Sequence, residues 1–456
     1  MVFNSDIFLL AFLPVVFTLF WAFDSKTWRY GLLAVAGYVF YGWWNWRFCF
    51  LLLFSSLISY AAGRAIGATE SRNRRRAIVV ACVSIDLAIL GFFKYYNFFA
   101  AAVRAVTSSA PLPVLDIVLP IGISFYTFHT ISYVVDVAER RVRPTANLWE
   151  YLTYVNLFSQ LVAGPIVRFR QIEADLEAID GPPREDWMAK GIGFFVVGLA
   201  KKVLIADQIA AGIDPILASW GVMSFSGAWI AALGYTCQLY FDFSGYSDMA
   251  VGLGFLFGLR IPQNFNSPYR ALGIADFWRR WHISLSSWLR DYLYLPLGGN
   301  RKGAARTYAN LMIVMLLGGL WHGANWTFVA WGGYHGVLLI VDRVAGRFFA
   351  RLPAFLYRLQ TFFLVLLGWV IFRSTGAGMA MHWLRTLGSP SGGLPPDALR
   401  TSVVIGLALV AIATIPEAWE FRFSTDRRWA MVYAAALVAC YFVMNARPSV
   451  FLYYQF

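Results

Sequence analysis

Residues 77–93 read AIVVACVSIDLAILGFF, a run of seventeen residues with one charged residue. The hydrocarbon core of a bilayer accommodates about 20 apolar residues of helix, and runs of this kind recur along the whole chain. Of the 456 residues, 59% are hydrophobic and 14% are charged, whereas a soluble globular domain carries about 25% charged residues. This pattern predicts a polytopic membrane protein rather than a series of soluble domains.

The apolar runs predict a bundle of about 11–12 transmembrane helices. The candidate spans are residues 7–23, 30–46, 48–64, 77–97, 113–136, 191–212, 226–256, 309–328, 331–349, 354–372, 402–418 and 429–446. The run 148–164 is shorter and leads into Ala163-Gly164-Pro165, so we expect a re-entrant or interfacial element there. The expected fold is all-α, a polytopic transmembrane helical bundle.

The expected domain organisation is a single transmembrane domain over residues 1–456. Residues Gly388 to Pro396 contain clustered Gly, Ser and Pro, which is typical of an external loop. This loop divides a core of about 1–385 from a C-terminal helix pair of about 400–456. The net charge of +13 comes from short basic loops between the apolar runs. It indicates loops held on the cytoplasmic side, and we expect no nucleic-acid partner.

Two short segments contain the histidines that we expect to carry chemistry. Residues 276–288 read DFWRRWHISLSSW, and residues 320–326 read LWHGANW. Ionisable groups at membrane depth are costly and mark functional sites by default. Small residues around His322 leave room for a ligand or a close helix, and the amide of Asn325 is suited to orient an imidazole or an oxyanion. Burial favours a neutral imidazole, as a general base requires. The alternative is a structural histidine bonded to a neighbouring helix.

His282 follows two arginines in the first of these segments. At helical spacing it shares a face with Ser286 and Leu289, with Arg279 one turn before it. One interpretation is an interfacial amphipathic helix whose arginines contact lipid phosphates. The other is a site for a phosphorylated donor that carries an acyl group, because guanidinium groups bind phosphate well. The basic residues expected to hold those phosphates are Arg279, Arg280, Arg290, Arg301 and Lys302.

The remaining polar groups of the apolar runs have weaker functional interpretations. We interpret His129 and His335 as structural. Asp242 and Asp248 suit either the lining of a polar tunnel or hydrogen bonds between helices, and the sequence favours neither. The chain has no GxSxG, HExxH or Walker A motif, and we expect no metal site.

In several separate segments the chain resembles the membrane-bound O-acyltransferase family, and within it the bacterial alginate O-acetylase membrane subunits. The most specific segments are 264–269, 276–299 and 319–336, with support from 119–125 and 160–166. The resemblance covers nearly the whole chain, with no departure at the two motif histidines. It implies a helical membrane enzyme with a central tunnel, in which His322 is the family's hallmark histidine and His282 its second motif histidine.

The resemblance also implies a reaction. An acetyl group would pass from a cytoplasmic donor, acetyl-CoA, toward hydroxyls of an exported polysaccharide such as alginate, at the bacterial inner membrane. Periplasmic or membrane-anchored partner proteins would complete delivery, and no cofactor is expected beyond the donor substrate. The catalytic residues would be His322 and His282, and the substrate-binding residues Asn325, Arg279, Arg280, Trp321, Ser286 and Asp291. The alternatives are a transporter of polysaccharide or lipid-linked sugar and a non-catalytic scaffold for periplasmic acetylation enzymes.

Overall fold

The computed structural model describes residues 1–107, 112–446 and 451–452. These residues form helices joined by turns and irregular segments, and no strand occurs among them. The all-α prediction is therefore confirmed. Up to residue 222 the helices are Ile7–Phe12, Leu13–Trp21, Lys26–Asn45, Phe48–Gly67, Arg72–Leu90, Gly91–Tyr95, Tyr96–Val106, Ile123–Ala138, Leu148–Asn156, Phe169–Glu177, Glu185–Ala200, Lys201–Ala206, Asp207–Ala218 and Trp220–Val222.

The second half of the chain is also helical, with several short elements between residues 263 and 302. Its helices are Phe225–Leu256, Pro268–Arg270, Ile274–Arg280, Ile283–Leu289, Arg290–Tyr294, Gly303–His322, Trp326–Phe349, Ala354–Arg373, Ala377–Thr386, Ala398–Thr414, Ala418–Glu420 and Arg427–Ala446. We name Gly303–His322 the histidine helix and Trp326–Phe349 the return helix.

Several helices are long and apolar enough to cross a bilayer, which confirms the multi-pass prediction. Five in the described residues meet that standard: Phe48–Gly67, Arg72–Val106, Gly303–His322, Ala354–Arg373 and Arg427–Met444. Two further apolar helices, Ile7–Trp21 and Ala398–Thr414, are shorter. The other predicted spans fall on helices that are less apolar, or on helices interrupted by polar residues.

Two predicted boundaries are wrong. The span predicted over 309–328 ends at His322, and a new helix begins at Trp326. The cause is local, because the Asn325 side chain accepts a hydrogen bond from the Thr327 N–H and caps the return helix. The span predicted over 113–136 begins as a helix only at Ile123, after an irregular segment.

The described chain divides into two compact units. Unit 1 contains Met1–Phe195, Ser247–Pro262 and Phe423–Tyr433, and unit 2 contains Val196–Tyr246, Gln263–Arg422 and Ala434–Phe456. The predicted C-terminal helix pair of about 400–456 therefore contributes residues to both units. The short element predicted at 148–164 lies in unit 1, as the helix Leu148–Asn156 followed by turns.

Unit 1 buries polar side chains by pairing them internally. The Arg29 side chain is inaccessible to solvent and donates to the carbonyl oxygens of Ile179, at 2.6 Å, and Gly181, at 2.8 Å. The Asp86 carboxylate accepts hydrogen bonds from the hydroxyls of Ser55 and Thr130. These bonds offset the cost of removing polar groups from water.

Unit 2 holds an aromatic core and a buried ion pair. The Lys202 ammonium lies 2.5 Å from the Asp242 carboxylate and 2.8 Å from Asp207. The Asp242 carboxylate also accepts from the Leu452 N–H at 3.1 Å. Of the two interpretations that the sequence left open for Asp242, bonding between helices is therefore the one observed.

Two glycines let the histidine helix and the return helix approach closely. A Cβ atom on Gly319 would overlap the Phe328 carbonyl, and one on Gly332 would overlap the Met315 carbonyl. The backbones of the two helices are therefore in direct contact, as small residues permit in membrane proteins. This contact brings the end of the histidine helix against the first turns of the return helix.

Candidate active site

His322 is the last residue of the histidine helix and lies in a cage of aromatic rings. Its ring centroid is 5.0 Å from that of Trp321, 5.3 Å from Trp331 and 5.2 Å from Phe372. The three rings meet the imidazole edge-on, at interplanar angles of 80–88°. Only 6% of the residue is exposed, so the imidazole is fixed in position within an apolar surrounding.

A cavity of about 380 Å³ in unit 2 includes His322 in its wall. This volume lies within the range of small-molecule sites, about 300–1,000 Å³. Apolar side chains form most of the wall, and they are Ala275, Trp278, Leu285, Leu289, Leu311, Val314, Met315, Trp331 and Leu339. From Leu311 to His322 the wall follows the histidine helix for about 16 Å, at 1.5 Å per residue. The cavity is therefore elongated.

Most polar residues of the wall lie toward the end of the cavity away from His322, and Ser286 is an exception. They include Arg290, Tyr294, Asn300 and Arg343, with Arg279 also contributing. Arg279 and Arg290 already have carboxylate partners, Asp276 at 3.6 Å and Asp291 at 2.7 Å. Arg343 has no carboxylate within ion-pair distance in the described part of the chain. Arg343 is therefore the guanidinium most available to an anionic ligand.

His282 occupies a break between helices, so the predicted continuous helical face is wrong. One helix ends at Arg280 and the next begins at Ile283, and His282 between them has φ +45°. A non-glycine residue in the left-handed region is uncommon and is often found at functional sites. The break turns His282 inward, where it is inaccessible to solvent. Of the predicted face, Ser286, Leu289 and Arg279 line the cavity, and His282 lies outside its lining.

A hydrogen-bond network around Asn264 fixes the tautomer of His282. The Asn264 side-chain oxygen accepts from the Ser284 N–H at 3.1 Å and from the Ser284 hydroxyl at 2.9 Å. Because a backbone N–H only donates, this atom is the oxygen and not the amide nitrogen. The His282 Nδ1, 3.1 Å from the same oxygen, therefore carries the proton and donates. Burial, with a smaller contribution from nearby His322, lowers the pKa of His282 well below its usual value.

Trp321 lies between the two histidines. Its ring centroid is 6.1 Å from that of His282 and 5.0 Å from that of His322. Phe243 also packs edge-on against His282, with ring centroids 4.7 Å apart. The structure therefore brings together three of the predicted residues, His322, Trp321 and His282, in one aromatic assembly.

Three other predicted residues are engaged in local bonds. The Asn325 amide nitrogen donates to the Thr375 carbonyl at 3.0 Å, while its oxygen caps the return helix. Arg280 lies 3.0 Å from Asp276 and also donates to the Asn266 carbonyl. Asp291 pairs with Arg290. None of the three lines the cavity, and neither do Arg301 and Lys302.

Sequence reasoning missed three residues of the site. Trp331 contacts His322, Arg343 lines the cavity and Asn264 holds His282. Arg343 and Trp331 lie twelve residues apart on the return helix. Gly332 was the sequence signal that the return helix contacts the histidine helix closely. Asn264 lies eighteen residues before His282, in one of the segments that carry the family resemblance.

A larger cavity, about 730 Å³, lies in unit 1. It is lined largely by arginines and glutamates and includes no histidine or cysteine. Several of its charges are already paired, including Arg140 with Glu70 and Arg141 with Glu139. It therefore lacks the combination of apolar wall and buried imidazole that the cavity at His322 provides.

Comparison with known proteins identifies the family of the chain. The sequence profile of the MBOAT, or membrane-bound O-acyltransferase, family matches residues 42–380. The chain is 46% identical over 390 residues to the "Probable alginate O-acetylase AlgI" of Pseudomonas aeruginosa, covering 83% of this chain and 73% of that one. It is 39% identical to the protein of the same name from Pseudomonas putida, over the full length of both.

A relative with a different named acceptor is also similar. The "Peptidoglycan O-acetyltransferase" of Helicobacter pylori is 36% identical over 422 residues, covering 84% of this chain and 79% of that one. Residues 42–380, which the family profile matches, contain both motif histidines and the whole wall of the cavity at His322. The chain therefore belongs to the membrane-bound O-acyltransferase family and is a multi-pass membrane O-acyltransferase.

Proposed function

We propose that this protein transfers an acetyl group from acetyl-CoA toward hydroxyls of an exported polysaccharide such as alginate, at the bacterial inner membrane. The names of the relatives support the acetyl group and this class of acceptor. The observation that carries the proposal is His322, a buried imidazole in the wall of an elongated apolar cavity with arginines toward its other end. A long donor with a reactive thioester at one end and phosphates at the other fits this arrangement.

In the proposed reaction His322 is the general base. Its imidazole takes the proton of the acceptor hydroxyl while the hydroxyl oxygen attacks the thioester carbon. The carbon–sulfur bond then breaks, the ester forms, and the proton held by the imidazole passes to the departing CoA thiolate. The apolar wall excludes water from the thioester, which limits its hydrolysis.

The donor's phosphates are placed at the basic part of the cavity. Arg343 is the principal contact in this proposal, because Arg279 and Arg290 already have carboxylate partners. This replaces part of the basic set expected from sequence, since Arg280, Arg301 and Lys302 do not line the cavity. His282 is a positioning residue whose hydrogen bond to Asn264 holds the loop behind Trp321.

The test uses purified protein in lipid nanodiscs with acetyl-CoA labelled in the acetyl group. The expected result is time-dependent transfer of label to added alginate or to an acceptor protein supplied with it, and this transfer should fall by about 10³-fold in His322→Ala. Label that stays in acetyl-CoA with both acceptors overturns the proposal. Two alternatives give distinct outcomes: a transporter moves polysaccharide without the donor, and a scaffold supports acetylation in cells even with both histidines replaced.

A further inference from the structure

Two tryptophans form the wall of the cavity beside His322. Trp278 and Trp331 both line it, and their ring centroids lie 5.6 Å apart at an interplanar angle of 66°. Trp331 also meets the His322 imidazole edge-on at 5.3 Å and is 1% exposed. The two indoles therefore stand where the reactive end of a bound donor would lie.

Both indole N–H groups are buried without a hydrogen-bond acceptor among the described residues. An indole nitrogen only donates, and buried donors in folded proteins are nearly always paired. The neighbouring Trp369 shows the usual solution, because its N–H donates to the Tyr269 hydroxyl at 3.0 Å. Trp369 stacks on Trp331 with centroids 5.8 Å apart. Trp369, which does not line the cavity, is therefore paired, whereas the N–H groups of Trp278 and Trp331 at the wall have no acceptor among the described residues.

We infer that the N–H groups of Trp278 and Trp331 donate to the thioester carbonyl oxygen of the donor and stabilise the oxyanion formed from it. This inference rests on the proposed function and names the residues that complete it. Asn325, the amide expected from sequence to serve this purpose, uses both ends of its side chain elsewhere. Two preorganised donors in an apolar wall suit a developing negative charge.

When the acceptor oxygen bonds to the thioester carbon, the carbonyl π electrons move to the oxygen, which becomes negative and binds more strongly to the two N–H groups. When the carbonyl re-forms, the carbon–sulfur bond breaks and its electron pair leaves with the CoA sulfur. The sulfur takes the proton that His322 had accepted. No other reactant is required.

The experiment removes each N–H while keeping a ring in place, with Trp278→Phe and Trp331→Phe. We expect each variant to lose about 100-fold in kcat, as for removal of one oxyanion donor. The inhibition constant of free CoA should not change, because free CoA has no acetyl carbonyl. Trp369→Phe is the matched control, since it removes an N–H that the protein itself already pairs, and its kcat should stay at the wild-type value.

The outcomes separate the possibilities. Wild-type kcat in both phenylalanine variants overturns the inference. So does a loss of kcat accompanied by weaker CoA inhibition, or an equal loss in Trp369→Phe, because both indicate disturbed packing. If the wild-type protein transfers no acetyl group from the labelled donor, the proposed function fails before any tryptophan is changed, and the two failures are distinguishable.

Discussion

The surroundings of His322 and His282 differ more than their sequence motifs suggest. Both residues are buried, at 6% and 0% exposure, and both lie against Trp321. His322 ends a twenty-residue helix and lines the cavity. His282 occupies a left-handed break outside the cavity lining, with its Nδ1 proton donated to Asn264.

In the proposed reaction, this difference gives the two histidines different roles. A general base must reach the hydroxyl that it deprotonates, and His322 is the one with access to the cavity. A residue that holds a strained loop needs a fixed tautomer and a partner, and His282 has both. Burial alone, which the sequence predicted for each, does not distinguish them.

The largest expected effect is on acetyl transfer, and it tests the proposed role of His322 as general base. His322→Ala should lower acetyl transfer by about 10³-fold, within the range for loss of a general base. His322→Gln keeps a polar side chain of similar length but no base, and we expect a similar loss. The measurement is label transfer from acetyl-CoA by protein whose amount in nanodiscs has been matched.

Binding of the donor provides the control for that loss. In the proposed reaction free CoA would occupy the same cavity but has no thioester to be attacked, so its affinity for His322→Gln should equal that for the wild-type protein. Substantial turnover in His322→Ala would show that the base lies elsewhere, and the contrast between the two histidines would then have no catalytic meaning.

The second effect separates a positioning role of His282 from a chemical one. Asparagine tolerates the left-handed region and keeps an N–H near the position of Nδ1, whereas alanine loses the bond to Asn264. We expect His282→Ala to lose about 100-fold in kcat, since small misplacement of a site can cost that much. His282→Asn should retain most of the wild-type rate. The measurement is the same label transfer, at saturating donor.

Equal losses of kcat in His282→Ala and His282→Asn would contradict a positioning role for His282. They would mean that the other ring nitrogen of His282, which asparagine cannot replace, takes part in proton transfer. His282 would then be a second catalytic group, as the family resemblance implied.

A third, smaller effect concerns the basic part of the cavity. Arg343→Ala should raise the KM for acetyl-CoA about 10-fold with little change in kcat, because a contact to a remote phosphate is made equally in ground and transition states. Arg347→Ala removes the same charge one turn further along the return helix, outside the cavity lining, and should leave KM unchanged. Equal KM values in the two variants would move the phosphate site away from Arg343.

Much of the fold was predictable because lipid imposes a simple rule on sequence. Long apolar runs such as 77–93 must form helices in a bilayer, and the structure places a helix there. The ends of helices were less predictable. The end at His322 depends on a single side-chain cap, Asn325, and the run of apolar residues continues across it.

The histidines of the candidate site could be predicted from the sequence, whereas several of the other residues around them could not. The cost of burying ionisable groups points to His282 and His322 from sequence alone. Helical periodicity predicted one continuous helix through His282. The φ of +45° at that residue breaks the helix, so the predicted shared face with Ser286 and Leu289 does not form. Asn264 and Arg343 reach the site only through tertiary packing, which no local spacing records.

The smallest effect is on stability, and it asks whether His282 is closed to protons. Burial lowers the pKa of His282 in the folded protein, whereas in the unfolded chain a histidine titrates near 6.5. Below about pH 6.5 the unfolded state therefore binds a proton that folded His282 does not, and the free energy of unfolding falls by about 1.4 kcal/mol per pH unit.

The His282→Asn variant has no titratable group at this position, so its free energy of unfolding should lack this part of the pH dependence. Every other histidine contributes equally to both proteins. Denaturant unfolding at pH 7.5 and 5.5 should thus show a steeper acid loss in the wild-type protein. Parallel losses would mean that folded His282 takes up the proton, in which case it is not sealed behind the cavity and its contrast with His322 disappears.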